Sequence, residues 1–188
     1  MNAIILYGSK YGSTQRYADK LSEETGIQAV SYREAPALSD KGVIVYLGAL
    51  YAGGVLGLAK TLRGFTLGDC QKLFIATVGL ADPLEEGNRE NIRKALKKQI
   101  SDKLWQQAGI YHLRGGIDYQ RLSLGHRAAM ALLCQTLRRK PEAQWSEEDR
   151  ALVETYGKQV DFTEFSMLEP LIQDIRAAAG WQSARVRR

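Results

Sequence analysis

The sequence predicts an α/β fold: a doubly wound, five-stranded parallel sheet in the order 2-1-3-4-5 with helices on both faces. Three observations predict it. Short continuous apolar runs, typical of strands covered on both faces, recur at Ala3 to Tyr7, Gly42 to Leu47 and Lys72 to Thr77. They alternate with stretches whose apolar residues recur at helical spacing. Glycine-rich segments follow the strands, where an open α/β sheet has its ligand crevice, at the carboxyl ends of the first and third strands.

The first strand runs into Gly8-Ser9-Lys10-Tyr11-Gly12-Ser13-Thr14. A helix follows from Thr14 to Glu24, with Tyr17, Ala18 and Leu21 on one face and Gly26 as its stop. A short strand is expected around Ile27 to Tyr32. Gly42 to Leu47 is the clearest central strand and Lys72 to Thr77 the next, and between them Val55 to Arg63 reads as a helix closed by Gly64. Asp82 and Pro83 open a helix to about Ser101, because Ile92, Leu96 and Ile100 fall one turn apart with Lys and Arg outside. Gly109 to Arg114 is the fifth strand.

Beyond it the chain exceeds a minimal sandwich. Leu124 to Leu137 is a helix with Met130, Leu133, Cys134 and Leu137 on one stripe, bracketed by Arg121, Arg127, Arg138, Arg139 and Lys140. Ser146-Glu147-Glu148-Asp149 forms a capping box for a helix that stops near Gly157. Ser166-x-x-Glu169 with Pro170 starts a last helix ending near Ala179.

The turn after the first strand suits a phosphate. N–H groups from Lys10 to Thr14 converge at a helix N-terminus, whose free donors and positive dipole end favour an anion, and Ser9, Ser13 and Thr14 add hydroxyls. A mononucleotide P-loop needs Gly-Lys-Ser/Thr at the helix start, but Ser13 follows Gly12 and Lys10 comes too early. Gly8 and Gly12, with no third glycine behind them, do not make the dinucleotide fingerprint either. An ordinary strand-to-helix turn remains the plain alternative. Gly48 to Gly54, Thr77 to Ala81 and Gly115 to Tyr119 give three more glycine-rich strand ends, where main chain can approach a flat ring and Tyr51 or Leu80 can cover it.

A length of 188 residues fits one domain over 1–180, with an insertion over about 119–157 and a basic tail over 181–188. The net charge of +5 favours acidic partners as a class, anionic lipid, nucleic acid or carboxylate-bearing substrates. No nucleic-acid partner is expected, and nothing in the sequence sets an oligomeric state. Cys70 and Cys134 form no Cys-x-x-Cys pair, so no structural zinc, iron–sulfur site or redox dithiol is expected, and a reducing cytoplasm is the simplest setting. The N-terminal apolar run reaches the glycine-rich turn too soon for an export signal, and no apolar stretch approaches the ~20 residues of a membrane span. The segment 124–140 leaves open a peripheral contact with the inner face of the membrane. No general acid or base stands out. His112 reads as a satisfied core histidine, and His126 as either a solvated cap or a contact for an acidic substrate. Cys70, Cys134, Trp105, Trp145 and Trp181 read as packing residues.

The pattern Ser9-x-x-Gly12-x-Thr14 resembles the FMN-phosphate loop of flavodoxins. Gly48-Ala49 followed by Gly54, the turn Gly115-Gly116-Ile117-Asp118-Tyr119 and the basic, apolar helix before the final one extend the resemblance. It points to the flavodoxin-domain family, in the branch that includes the menaquinone-dependent protoporphyrinogen oxidases. The resemblance implies FMN as cofactor, its phosphate held by Ser9, Lys10, Tyr11, Gly12, Ser13 and Thr14. The ring would lie between Ala49, Leu50, Tyr51, Ala52 and Gly53 on one side and Thr77, Val78, Gly79 and Leu80 on the other, with Gly115, Gly116 and Asp118 near its edge. It further implies hydride or electron transfer to a quinone or other small redox partner, with the insertion beside the flavin edge. Two other functions stay open. One is a flavodoxin-type electron carrier without its own substrate, whose usual acidic docking surface contrasts with this basic chain. The other is a flavin-free regulatory protein.

Overall fold

The computed structural model describes residues 2–51 and 53–180; Ala52 and the tail at 181–188, with Trp181, lie outside the described residues. Strands β1 (Ala3–Gly8), β2 (Ala29–Ser31), β3 (Val43–Tyr51), β5 (Lys72–Gly79) and β6 (Gly109–Arg114) form a parallel sheet in the order β2-β1-β3-β5-β6. This is the expected 2-1-3-4-5 order of the five main strands. A two-residue strand, β4 (Gly54–Val55), folds back antiparallel on the end of β3.

Because side chains alternate along a strand, each buried strand supplies both layers. Ile5, Val45, Leu47, Ala76, Val78 and Leu113 meet Tyr17 and Leu21 of α1 (Ser13–Thr25) and Leu171, Ile172 and Ile175 of α7 (Glu169–Ala178). On the opposite face Ile4, Leu6, Ile44, Leu73 and Ile75 meet Leu58 of α2 (Leu58–Thr61), Leu96 of α3 (Glu86–Lys97) and Leu104 of α4 (Asp102–Gln107). Each such fully buried Leu or Ile contributes about 1.5–3 kcal/mol relative to exposure. The carboxyl ends of the strands are level, since Gly8 pairs with Gly48, Ala49 with Val78 and Gly79 with Arg114.

Several elements depart from the sequence reading. The expected helix over Val55 to Arg63 is one turn, α2, because Val55 is taken into the β3–β4 hairpin and Gly57 adopts a left-handed backbone with φ 81°. The Gly48–Tyr51 segment, expected as loop, prolongs β3 instead. The helix expected from Asp82 to Ser101 starts only at Glu86 and ends at Lys97; Asp82 accepts the Leu84 N–H through Oδ1 within a turn, and Ser101 caps α4 through its hydroxyl. Ser166 does not cap the last helix. It lies in a 3-10 turn, Phe165–Leu168, and its hydroxyl donates to Glu164 at 2.7 Å. Cys70 is exposed in the turn before β5, whereas Cys134 is buried.

After β6 the chain turns through β7 (Gly116–Asp118), which pairs antiparallel with β8 (Gln159–Asp161). This ribbon brackets residues 119–158, which contain α5 (Leu124–Arg138) and α6 (Glu147–Thr155). Ser146 and Asp149 form the expected capping box on α6. Tyr17, fully buried, secures the return to the sheet: its hydroxyl donates to the Arg114 carbonyl at 2.8 Å and accepts the Glu164 N–H at 2.9 Å.

Candidate functional site

The turn from β1 into α1 begins where main chain crowds main chain. A Cβ on Gly8 would stand 2.2 Å from the Leu56 carbonyl oxygen, so only glycine lets the segment after β4 press on the strand end. Gly12 then takes φ 101° with open space around it, and Ser13 starts the helix. The first return bond of α1 runs from Arg16 N–H to the Gly12 carbonyl at 3.0 Å. The N–H groups of Ser13, Thr14 and Gln15 therefore have no intrahelical partner. No side chain caps this end, whereas α4, α5 and α6 are capped by Ser101, Ser123 and Ser146. Open donors at the positive end of a 13-residue helix, with nothing above Gly12, make a cradle for an anion.

The other expected site residues surround this turn in different ways. Ser9 accepts the Gly12 N–H at 3.2 Å and shapes the loop, while Lys10 is exposed. Ser13 accepts the Gly116 N–H at 3.2 Å, tying the loop to the turn after β6, and Thr14 is 2% exposed. Ala49, Leu50 and Tyr51 lie on the end of β3, with the Leu50 side chain against Gly79 across the sheet end; Gly53, at φ 77°, is the hairpin turn. Thr77 is buried and bonded to His112 Nδ1 at 2.8 Å, and Val78 is in the core beneath α1 and α7. The Gly115 N–H prolongs the ladder to the Gly79 carbonyl at 2.6 Å, and Asp118 Oδ1 accepts the Gln120 N–H at 2.9 Å.

A residue from the insertion joins both walls. His126, in the first turn of α5, pairs through Nδ1 with the Tyr11 hydroxyl and through Nε2 with the Tyr51 hydroxyl. Its ring meets both tyrosines edge-on, at centroid distances of 5.9 and 5.4 Å. Burial, and after it the neighbouring Tyr51, raises the Tyr11 pKa, so this phenol stays a neutral hydrogen-bonding group. The cap-or-contact choice for His126 is decided in geometry: it is a bridge between the loop after β1 and the end of β3.

A flavodoxin domain model matches residues 4–144. The chain belongs to the flavodoxin-domain family. Its flavin is FMN, and the open, uncapped cradle at Gly12 to Gln15 fits the single terminal phosphate of that group. No curated protein matches the chain. Among solved structures it is similar to a WrbA-like flavodoxin from Agrobacterium tumefaciens, at 14% identity over 81% of this chain and 91% of that one, with a TM-score of 0.43. It is also similar to a flavodoxin from the domain Archaea, at 17% identity over 60% of this chain and 85% of that one, with a TM-score of 0.36. Rubredoxin oxygen:oxidoreductase of Desulfovibrio gigas shows 11% identity over 95% of this chain, which spans 37% of that protein, with a TM-score of 0.46.

One further residue of this flavodoxin domain, Arg114, went unmarked in the sequence, and another, His112, departs from its reading. Arg114, at the end of β6, donates through Nε to the Leu80 carbonyl at 3.2 Å, pairs with Asp82 at 3.4 Å and lies 3.9 Å over the Phe162 ring. It fixes the segment after β5 to the returning chain. His112, expected to be satisfied, has only Nδ1 partnered; Nε2 is buried without a partner. Burial first, and then Arg93 and Arg89, pull its pKa down to about 4. No cluster of metal-ligating side chains, and no helix long and apolar enough to cross a membrane, occurs among the described residues.

Proposed function

We propose that this flavodoxin domain is an FMN-dependent oxidoreductase similar to menaquinone-dependent protoporphyrinogen oxidase, acting on a carboxylate-bearing tetrapyrrole with a quinone as acceptor. The observation that supports it is the placement of α5. This helix carries no acidic residue, and His126 ties its first turn to both Tyr11 and Tyr51 at the crevice. An electron carrier needs an open flavin edge for its protein partners; on this reading α5 would cover that edge.

FMN, when bound, supplies hydride and single-electron chemistry. On this reading Ser9, Lys10, Tyr11, Gly12, Ser13 and Thr14 hold the phosphate, while Leu50, Tyr51 and Leu80 flank the ring. Gly115, Gly116 and Asp118 lie near its edge. Arg121 and Arg127 are exposed at the start of the insertion, Arg127 donating to the Gln120 carbonyl, and they meet the substrate carboxylates. Leu124, Leu132 and Leu133, exposed along α5, with Arg138, Arg139 and Lys140 at its end, give a peripheral contact with anionic lipid from which a quinone is reached.

Two measurements test this. Flavin extracted from the purified protein is FMN and not FAD, because the cradle ends the ligand at one phosphate; FAD would remove the placement above. In anaerobic stopped flow, protoporphyrinogen then bleaches the flavin. A flavin that stays oxidised with protoporphyrinogen, but is reduced by a ferredoxin reductase and reoxidised by that system's acceptor, establishes an electron carrier instead.

A further inference from the structure

We propose that His126 is a positioning residue that retains FMN: its imidazole holds the first turn of α5 across the mouth of the crevice, so that bound FMN leaves slowly. The proposal rests on the FMN placement given above and adds a residue from outside the phosphate loop and the ring walls.

Three segments remote in sequence meet at this imidazole, Tyr11 lying 115 residues and Tyr51 75 residues before it. Neither contact is a by-product of starting the helix. Ser123 already caps α5, its hydroxyl accepting the His126 N–H at 3.4 Å, so the ring nitrogens are free for other partners. Nor do the contacts follow from core packing, since Tyr51 is 38% and Leu124 82% exposed. In a neutral imidazole one nitrogen donates and the other accepts, so one tyrosine gives a hydrogen bond and the other receives one. Both of the ring's polar atoms are thereby committed, one to the loop after β1 and one to the end of β3.

The contacts close a ring of linked segments. It runs from the level ends of β1 and β3, paired at Gly8 and Gly48, through the loop to Tyr11, across His126, and back through Tyr51. On the FMN placement proposed above, the phosphate at the N–H groups of Ser13 and Thr14 and the ring against Leu50 would lie on the inner side of this bridge. Departure then requires the first turn of α5 to swing away from both walls, opening both hydrogen bonds. Each is worth about a factor of 3 to 10, so breaking both accelerates release roughly tenfold or more.

The test is the rate of FMN release from loaded protein, followed as the fall in flavin fluorescence anisotropy after dilution. His126→Phe keeps an aromatic ring and removes both nitrogens; it releases FMN at least about tenfold faster than the parent. Tyr11→Phe and Tyr51→Phe each accelerate release about threefold, and neither adds anything in the His126→Phe background, because the bond it removes is already gone. That non-additivity separates a bridge from a general loosening of the fold. Should His126→Phe fail to fold, the Tyr11→Phe/Tyr51→Phe double variant takes its place with the same expected tenfold. Release within twofold of a parent that retains FMN overturns the proposal alone. A parent that binds no FMN overturns both the proposal and the flavin placement beneath it.

Discussion

Replacing Thr14 by valine isolates the anion cradle. Thr14 is the second residue of α1 and only 2% exposed, so a valine of the same branched shape fills the same space while deleting one hydroxyl. A hydrogen bond to a charged group is worth about 1.5–3 kcal/mol, so losing one to the FMN phosphate weakens binding by roughly 10- to 150-fold. The apoprotein melts within about 2 °C of the parent, because no apolar volume is removed. Quenching of flavin fluorescence gives the affinity, and circular dichroism the melting temperature. Ser13 is the poorer choice: its hydroxyl also takes the Gly116 N–H, so its removal mixes lost ligand contact with lost structure. A Thr14→Val dissociation constant within twofold of the parent refutes the phosphate placement.

Other outcomes follow from the same geometry. Gly8→Ala sets a Cβ 2.2 Å from a backbone oxygen that cannot swing away, and costs about 3 kcal/mol or more in urea unfolding; a loss below ~1 kcal/mol shows that the Leu56 segment yields. Leu124→Asp with Leu132→Asp, at positions 82% and 66% exposed, leaves the melting temperature nearly unchanged but abolishes sedimentation with acidic liposomes. Retained sedimentation removes the membrane role of α5. His112 has its pKa lowered from 6.5 to about 4, so the unfolded chain takes up a proton near pH 6.5 that the fold refuses until about pH 4. Stability is full above pH ~6.5 and falls by at most about 3 kcal/mol toward pH 4, and His112→Gln flattens that slope in denaturant titrations across the interval.

Elements whose sequence signal is local were legible. Gly109–Arg114 forms a strand with the expected bounds, and the Ser146 capping box starts its helix, because apolar runs and caps act within a few residues. Misreadings arose where distant partners decide. Val55 opens a stretch whose apolar residues recur at helical spacing, yet the hairpin with Leu50 claims it. The β7–β8 ribbon uses strands of three residues, too short for an alternation pattern to register. At the site, the composition of the loop after β1 pointed to an anion, and α1 leaves its end uncapped. The bridge through His126 was hidden for a different reason: a single histidine carries no spacing signal, and its partners belong to two other strand ends. The signal within reach was Tyr11 and Tyr51, aromatic residues in the loop after β1 and at the end of β3, which the topology brings together.

The ribbon formed by Gly116–Asp118 and Gln159–Asp161 also bears on how such a chain can diverge. It brings the two ends of the 119–158 excursion side by side, so that the sheet meets the same two anchor points whatever lies between them. Loop-closure entropy changes by only ~0.6 kcal/mol for each doubling of length, and the excursion can therefore lengthen, shorten or be exchanged with little consequence for the sandwich. On the reading proposed above, acceptor and substrate preference would lie in this segment, apart from the cradle after β1. A chimaera carrying another such excursion between the same two short strands would keep the phosphate cradle of one parent and exchange the helix that His126 ties to it.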